Sequence, residues 1–123
     1  MKIKTNELTD RALDWAVAKC EGPDSVASCY YDDQPLWLEE APIPEWKPST
    51  DWSQGGPIIE REKITSLCID NDWCAVKGIK YAVTGREPDT LIRVFGPTPL
   101  VAAMRCYVAS KLGDIIDISE ELK

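Results

Sequence analysis

The segment GPTPLVAAMRCYVASKLG, residues 96 to 113, constrains the fold more than any other stretch of the chain. Thr98 stands where a helix cap belongs. Pro99 follows at the first helical position, where its missing N–H costs nothing. Gly113 marks the stop. Leu100, Val101, Met104, Tyr107, Val108 and Leu112 fall on one broad apolar face. Ala102, Cys106 and Ala109 line another flank, small enough for a second element to approach closely. Arg105 lies at the edge of the apolar face, beside Val101 and Leu112. A guanidinium there needs an ion-pair partner or a ligand.

Other elements gather around this helix. LTDRALDWAVAKCEG predicts a second one, with Thr9 as its cap and Leu8 and Leu13 at hydrophobic-staple spacing. Leu13, Ala16, Val17 and Cys20 make its apolar stripe, and Gly22-Pro23 ends it. Residues 23–48 hold five of the nine prolines together with Tyr30, Tyr31, Trp37 and Trp46. Disordered linkers are poor in aromatics, so this proline-rich stretch reads as an ordered loop. From Ile64 the apolar period becomes two. Ile64–Ile69, Trp73–Val76, Ile79–Thr84 and Leu91–Phe95 read as strands, with a turn at Asp70-Asn71-Asp72. Ile115–Ile118 reads as a short final strand, and Met1–Lys4 as an edge strand or a disordered lead. The expected class is α+β, a three- to four-stranded antiparallel sheet packed with helices in one domain, 1–123.

The stretch STDWSQGGPIIE, residues 49 to 60, matches neither a Walker loop nor a dinucleotide fingerprint. Two readings compete. One is a single helix from Thr50 to Glu62, capped by Ser49 and kinked where Pro57 cannot donate to Ser53. The other starts a short helix at Gly56-Pro57. Adjacent glycines cost about 1 kcal/mol each inside a helix, which favours a break at Gly55-Gly56. Glycine there also lets backbone N–H groups approach an anion.

Composition removes several function classes. There is no histidine, so no Ser-His-Asp or Cys-His arrangement exists. The five cysteines are odd in number and form no C-x-x-C pair, which argues against a disulfide framework or a zinc ribbon. They read as reduced, mostly buried small hydrophobes. A net charge of -7 argues against general nucleic-acid binding and against an anionic membrane surface. The N-terminal residues lack a secretory apolar region, and no run approaches the ~18 apolar residues of a membrane span. The expected location is the cytoplasm. The pairs Asp32/Asp33, Glu39/Glu40 and Glu60/Glu62 read as solvated charge rather than facing catalytic carboxylates.

ELTDRALDWAVAKCEG, PSTDWSQGGPIIEREKI and GPTPLVAAMRCYVASKLGD together resemble the phage NinX family of small bacteriophage proteins. More distantly, the order of a Ser-Thr-Asp, a strand pair with a tryptophan, and a Thr-Pro helix is similar to the phage ABA sandwich domain. The resemblance implies a sheet between helical layers and an accessory protein acting inside a bacterial host. It implies no reaction. Binding without catalysis is therefore expected: a nucleotide-derived small molecule, sequestered to counter host defence. The expected lining is Thr50, Asp51, Trp52, Gly55, Gly56, Thr98 and Arg105, with no catalytic residue, cofactor or metal. Trp46 and Trp52 are the stacking candidates, and self-association would let pockets form between subunits. The alternative is an acidic inhibitor of a host protein, acting through Asp32, Asp33, Glu39, Glu40 and Glu45. Whether Gly55-Gly56-Pro57 and Gly96-Pro97-Thr98-Pro99 meet in space decides the first reading's geometry.

Overall fold

A computed structural model describes residues 2–21, 30–31, 34–35, 45–77 and 92–118. Along the chain come β1 (Lys2–Lys4), a 3-10 turn (Thr5–Glu7), α1 (Asp10–Glu21), β2 (Tyr30–Tyr31) and β3 (Gln34–Pro35). Then follow α2 (Trp52–Glu62), β4 (Thr65–Ile69), β5 (Asp72–Lys77), β6 (Ile92–Gly96), α3 (Pro99–Leu112) and β7 (Ile115–Asp117). The class is α+β. A three-stranded antiparallel sheet has the order β4-β5-β6, while β1 pairs with β7 and β2 with β3. Most of the expected loop at 23–48 and the expected strand at Ile79–Thr84 lie outside the described residues.

α3 occupies the centre. Eight consecutive residues, Ala102 to Ala109, are buried, as a helix with neighbours on all sides requires. α1 and α2 pack on it from one side and the sheet from the other. The described residues thus put a helix, not the sheet, in the middle. The helical layer on the far sheet face that the sandwich resemblance implies is not among them. The small flank of α3 meets β6: a Cβ on Gly96 would stand 2.8 Å from the amide nitrogen of Ala102. Alternation in β5 and β6 turns Trp73, Ala75, Ile92 and Val94 toward this core. Leu67, Ile69 and Phe95 are exposed.

The β4–β5 hairpin closes at Asp70-Asn71, with Ile69 opposite Asp72. Asp70 adopts a left-handed conformation (φ 57°), which aspartate tolerates in turns. At the other end, Lys2, Ile3 and Lys4 pair with Asp117, Ile116 and Ile115, so the two ends of the described chain meet. Among the described residues no helix is long and apolar enough to cross a membrane.

α2 departs from the favoured reading. There is no break at Gly55-Gly56: one helix runs from Trp52 through Pro57 to Glu62. Neither Ser49 nor Gly56 caps it; Asp51 does. Two physical facts override the propensity cost. Gly55 is packed so closely that a Cβ would strike the carbonyl oxygen of Pro48 and come within 2.6 Å of Leu100 Cδ1. Pro57 lies on the exposed side, as does Ser53, whose carbonyl loses its helical donor and is left to water.

Candidate functional site

The two glycine-proline stretches do meet, because Gly55 of α2 seats against Leu100 in the first turn of α3. The junction is closed, and most of its polar groups are engaged within the chain. Asp51 Oδ1 accepts from the Ser53 amide at 2.9 Å and from the Ser53 hydroxyl at 2.6 Å. These bonds hold the Asp51 carboxyl below the usual carboxylate range. A carboxylate thus stands at the α2 N-terminus, where a phosphate would otherwise be favoured. Thr98 Oγ1 accepts from the Val101 amide at 3.1 Å, capping α3 in the same way. Gln54 ties down the lead-in chain, accepting from the Lys47 amide at 2.6 Å and donating to the Glu45 carbonyl at 2.7 Å.

Asp14 anchors the same lead-in from α1. Its carboxylate accepts from the buried Ser49 amide at 2.9 Å, and its carbonyl accepts from Trp46 Nε1 at 2.9 Å. Burial pushes the Asp14 carboxyl up to about 6, with Asp10 and Glu45 adding to the rise and Ser49 opposing it. Ser49 Oγ is buried without a hydrogen-bond partner. Trp46 is therefore a packing residue. Trp52 is 55% exposed at the outer surface of the junction.

Arg105 stands apart. It projects from α3 toward the end of β6 and is about nine-tenths buried. Nε donates to the Leu8 carbonyl at 2.8 Å and Nη1 to the Phe95 carbonyl at 2.9 Å. No carboxylate of the described residues lies within ion-pair distance, and Glu7 acts on it only at longer range. Burial accordingly lowers its pKa from the ordinary arginine value. It borders a cavity of about 370 Å³ whose wall includes Asn6, Asp72, Arg93, Phe95 and Pro97. A second cavity, about 460 Å³, lies along β6 toward Ile92 and is walled by Lys4, Thr5, Arg93, Asp114 and Ile115. None of Thr50, Asp51, Trp52, Gly55, Gly56 or Thr98 lines either one. The structure thus gathers six of the expected lining residues at the junction and separates them from the seventh.

The groove residues Asn6, Asp72, Phe95 and Lys4 escaped the sequence reading. They sit in a turn, at strand ends and on an exposed strand face, and no spacing motif joins them. Arg93 falls within the expected strand Leu91–Phe95, where an arginine is a candidate for ligand contact but is commonly just solvated.

Around the ends of α2 and β5 the charged groups are instead paired with one another. Glu62 accepts from Lys77 at 2.7 Å and from Arg61 at 2.9 Å, with Lys111 at 3.7 Å. The bond from Lys77, then that from Arg61, pulls the Glu62 carboxyl down to about 2 against the opposing effect of burial. Arg61 also donates to Glu21 at 2.6 Å, and the Tyr107 hydroxyl donates to Glu21 at 2.8 Å. Cys20 and Cys106 are pushed up to about 12 by burial, so neither is a ready thiolate. Cys68, by contrast with the expected burial, is exposed. Cys29 lies outside the described residues. Among those described, no three Cys, Asp or Glu side chains gather as a metal site would require. Of the acidic residues expected on an inhibitory surface, only Glu45 is described, and it pairs with Lys47 at 3.4 Å.

No curated protein matches the chain. A family model described as "Bacteriophage P22, NinX" matches residues 4–111, from the last residue of β1 almost to the end of α3. The match takes in Lys4, Asn6, Asp72, Arg93, Phe95 and Arg105 as well as the whole junction. On that coverage, the chain belongs to the bacteriophage P22 NinX family of phage accessory proteins.

Proposed function

We propose that this phage protein acts by binding rather than by catalysis, sequestering a nucleotide-derived small molecule in the cavity beside Arg105 and so countering host defence. One observation carries the reading. Arg105 is a buried guanidinium with two backbone acceptors, no ion-pair partner among the described residues, and a cavity at its side. A desolvated cation of this kind favours an anionic ligand, and guanidinium matches phosphate geometry. The remaining wall suits the rest of a nucleotide. Asp72 and Asn6 can accept from hydroxyl or amino groups. The cavity volume is in the range of small-molecule sites.

Calorimetry with ADP-ribose and with cyclic dinucleotides tests the reading, combined with chromatography of the ligand after incubation. Binding at 1:1 stoichiometry with the ligand recovered intact is expected. Arg93→Gln alters an exposed side chain with no ion pair among the described residues, so the fold is spared. It should weaken binding roughly tenfold, the scale of one charge-assisted hydrogen bond. Absence of heat with every nucleotide tried, or turnover of the bound ligand, refutes the reading.

A further inference from the structure

The cavity beside Arg105 is not isolated. Asn6, Arg93 and Val94 line both it and the larger cavity toward Ile92, so the two adjoin along the outer edge of β6. Among the described residues β6 is the last strand of its sheet, with only β5 as a partner. An added strand does not explain this groove. Arg105 already occupies the Phe95 carbonyl, and the 3-10 turn packs against β6 where such a strand would lie.

The two cavities repeat one chemical pattern. Arg105 and Asp72 line the first; Lys4 and Asp114 line the second; Arg93 stands between them. None of these three cations has an ion pair among the described residues, although the chain carries a net charge of -7. Elsewhere Lys47, Arg61, Lys77 and Lys111 have carboxylate partners, while Lys2, Arg11, Lys19 and Lys63 have no ion pair among the described residues and line neither cavity. Phe95 and Ile92, which mark the two cavities, are three strand residues apart, or roughly 10 Å. Each half thus offers one cation for an anionic group and one carboxylate for hydrogen-bond donors.

We infer that the groove is a two-part site that takes a dinucleotide, one nucleoside phosphate in each cavity, with Arg93 shared between them. This rests on the binding reading above and narrows it from a nucleotide to a doubled one. A mononucleotide would engage one half only and forgo the second set of contacts.

The test compares AMP with the linear dinucleotide pApA and with cyclic di-AMP by calorimetry, on the wild type and on Lys4→Gln. Lys4 is exposed and has no ion pair among the described residues, so the variant should melt as the wild type does. The wild type should bind at least one of the two dinucleotides at least tenfold more tightly than AMP. Lys4→Gln should bring that dinucleotide to near the AMP level while leaving AMP affinity within twofold. Equal affinities for AMP and both dinucleotides, or equal losses for AMP and dinucleotide in Lys4→Gln, overturn the two-part site but leave the single-site reading standing. Failure of all three ligands to bind overturns both.

Discussion

The junction of α2 with α3 and the groove along β6 are both polar, both lie at helix or strand ends, and both drew attention for different reasons. They differ in where their polar groups go. At the junction, Asp51, Thr98, Gln54 and the Asp14 carboxylate each have a partner within the chain. Along the groove, Lys4, Arg93 and Arg105 have no ion-pair partner among the described residues, and only Arg105 makes hydrogen bonds, to main-chain carbonyls. The Glu62 cluster belongs with the junction: dense in charge, and internally matched. The difference teaches that a dense set of polar residue types points to a ligand site only where the fold leaves those groups unmatched. A buried group with partners is structure; a buried cation facing a cavity is available for recognition.

Substitutions that divide the two regions make this comparison testable. The largest effect belongs to the junction. Gly55→Ala should cost about 3 kcal/mol in urea denaturation, because the added methyl meets the Pro48 backbone and Leu100. Nucleotide affinity of the folded fraction should stay unchanged; a loss would join the junction to the groove.

Next comes Arg105→Met, which keeps an apolar stem but removes the donors to Leu8 and Phe95. About 2 kcal/mol of stability should go, with unsatisfied carbonyls left behind. Ligand binding should fall much further than this loss of fold explains.

Asp14→Asn should do the reverse and stabilise the protein by about 1–2 kcal/mol at pH 7. Burial holds the Asp14 carboxyl at about 6, above its ordinary value of 3.8, so its charge costs stability at neutral pH. That cost shrinks as pH falls through about 6 and is gone near 4. Asparagine keeps an acceptor for the Ser49 amide and adds a donor that can reach for the unpartnered Ser49 Oγ. Thermal melts between pH 4 and 8 should show the advantage of the variant disappear on acidification. A constant advantage across that range would mean that Asp14 does not titrate there.

The smallest effect distinguishes the two glycines. A Cβ on Gly56 would meet nothing within 4 Å. Gly56→Ala should therefore stabilise the protein by about 0.5–1 kcal/mol through helix propensity alone, visible as a raised melting temperature.

Much of the fold was legible because it rests on local rules. Thr98, Pro99 and Gly113 delimited α3 before any neighbour was known, and Asp70-Asn71 placed a hairpin turn. Alternation from Ile64 located β4 and β5 within a residue or two. α2 was misread at Gly55-Gly56 because propensity is a weak force beside packing: a close approach to Pro48 and Leu100 holds two glycines inside one helix. Arg105 was legible as an anomaly, a charge at the edge of an apolar face. Its partners were not, because Leu8 and Phe95 present only main-chain carbonyls, which every residue has.

The sequence by itself determined the α+β class, the helix over Pro99–Leu112 with its caps, the absence of histidine chemistry and the family to which the chain belongs. These follow from composition, periodicity and local motifs, which act over a few residues. Tertiary structure alone decided that Gly55 closes on Leu100, that α3 lies between the sheet and the other helices, and that Lys4, Arg93 and Arg105 line adjoining cavities. Those residues are separated by up to a hundred positions in the chain. Only the packing of β1, β6 and α3 around one core brings their charges to a common groove.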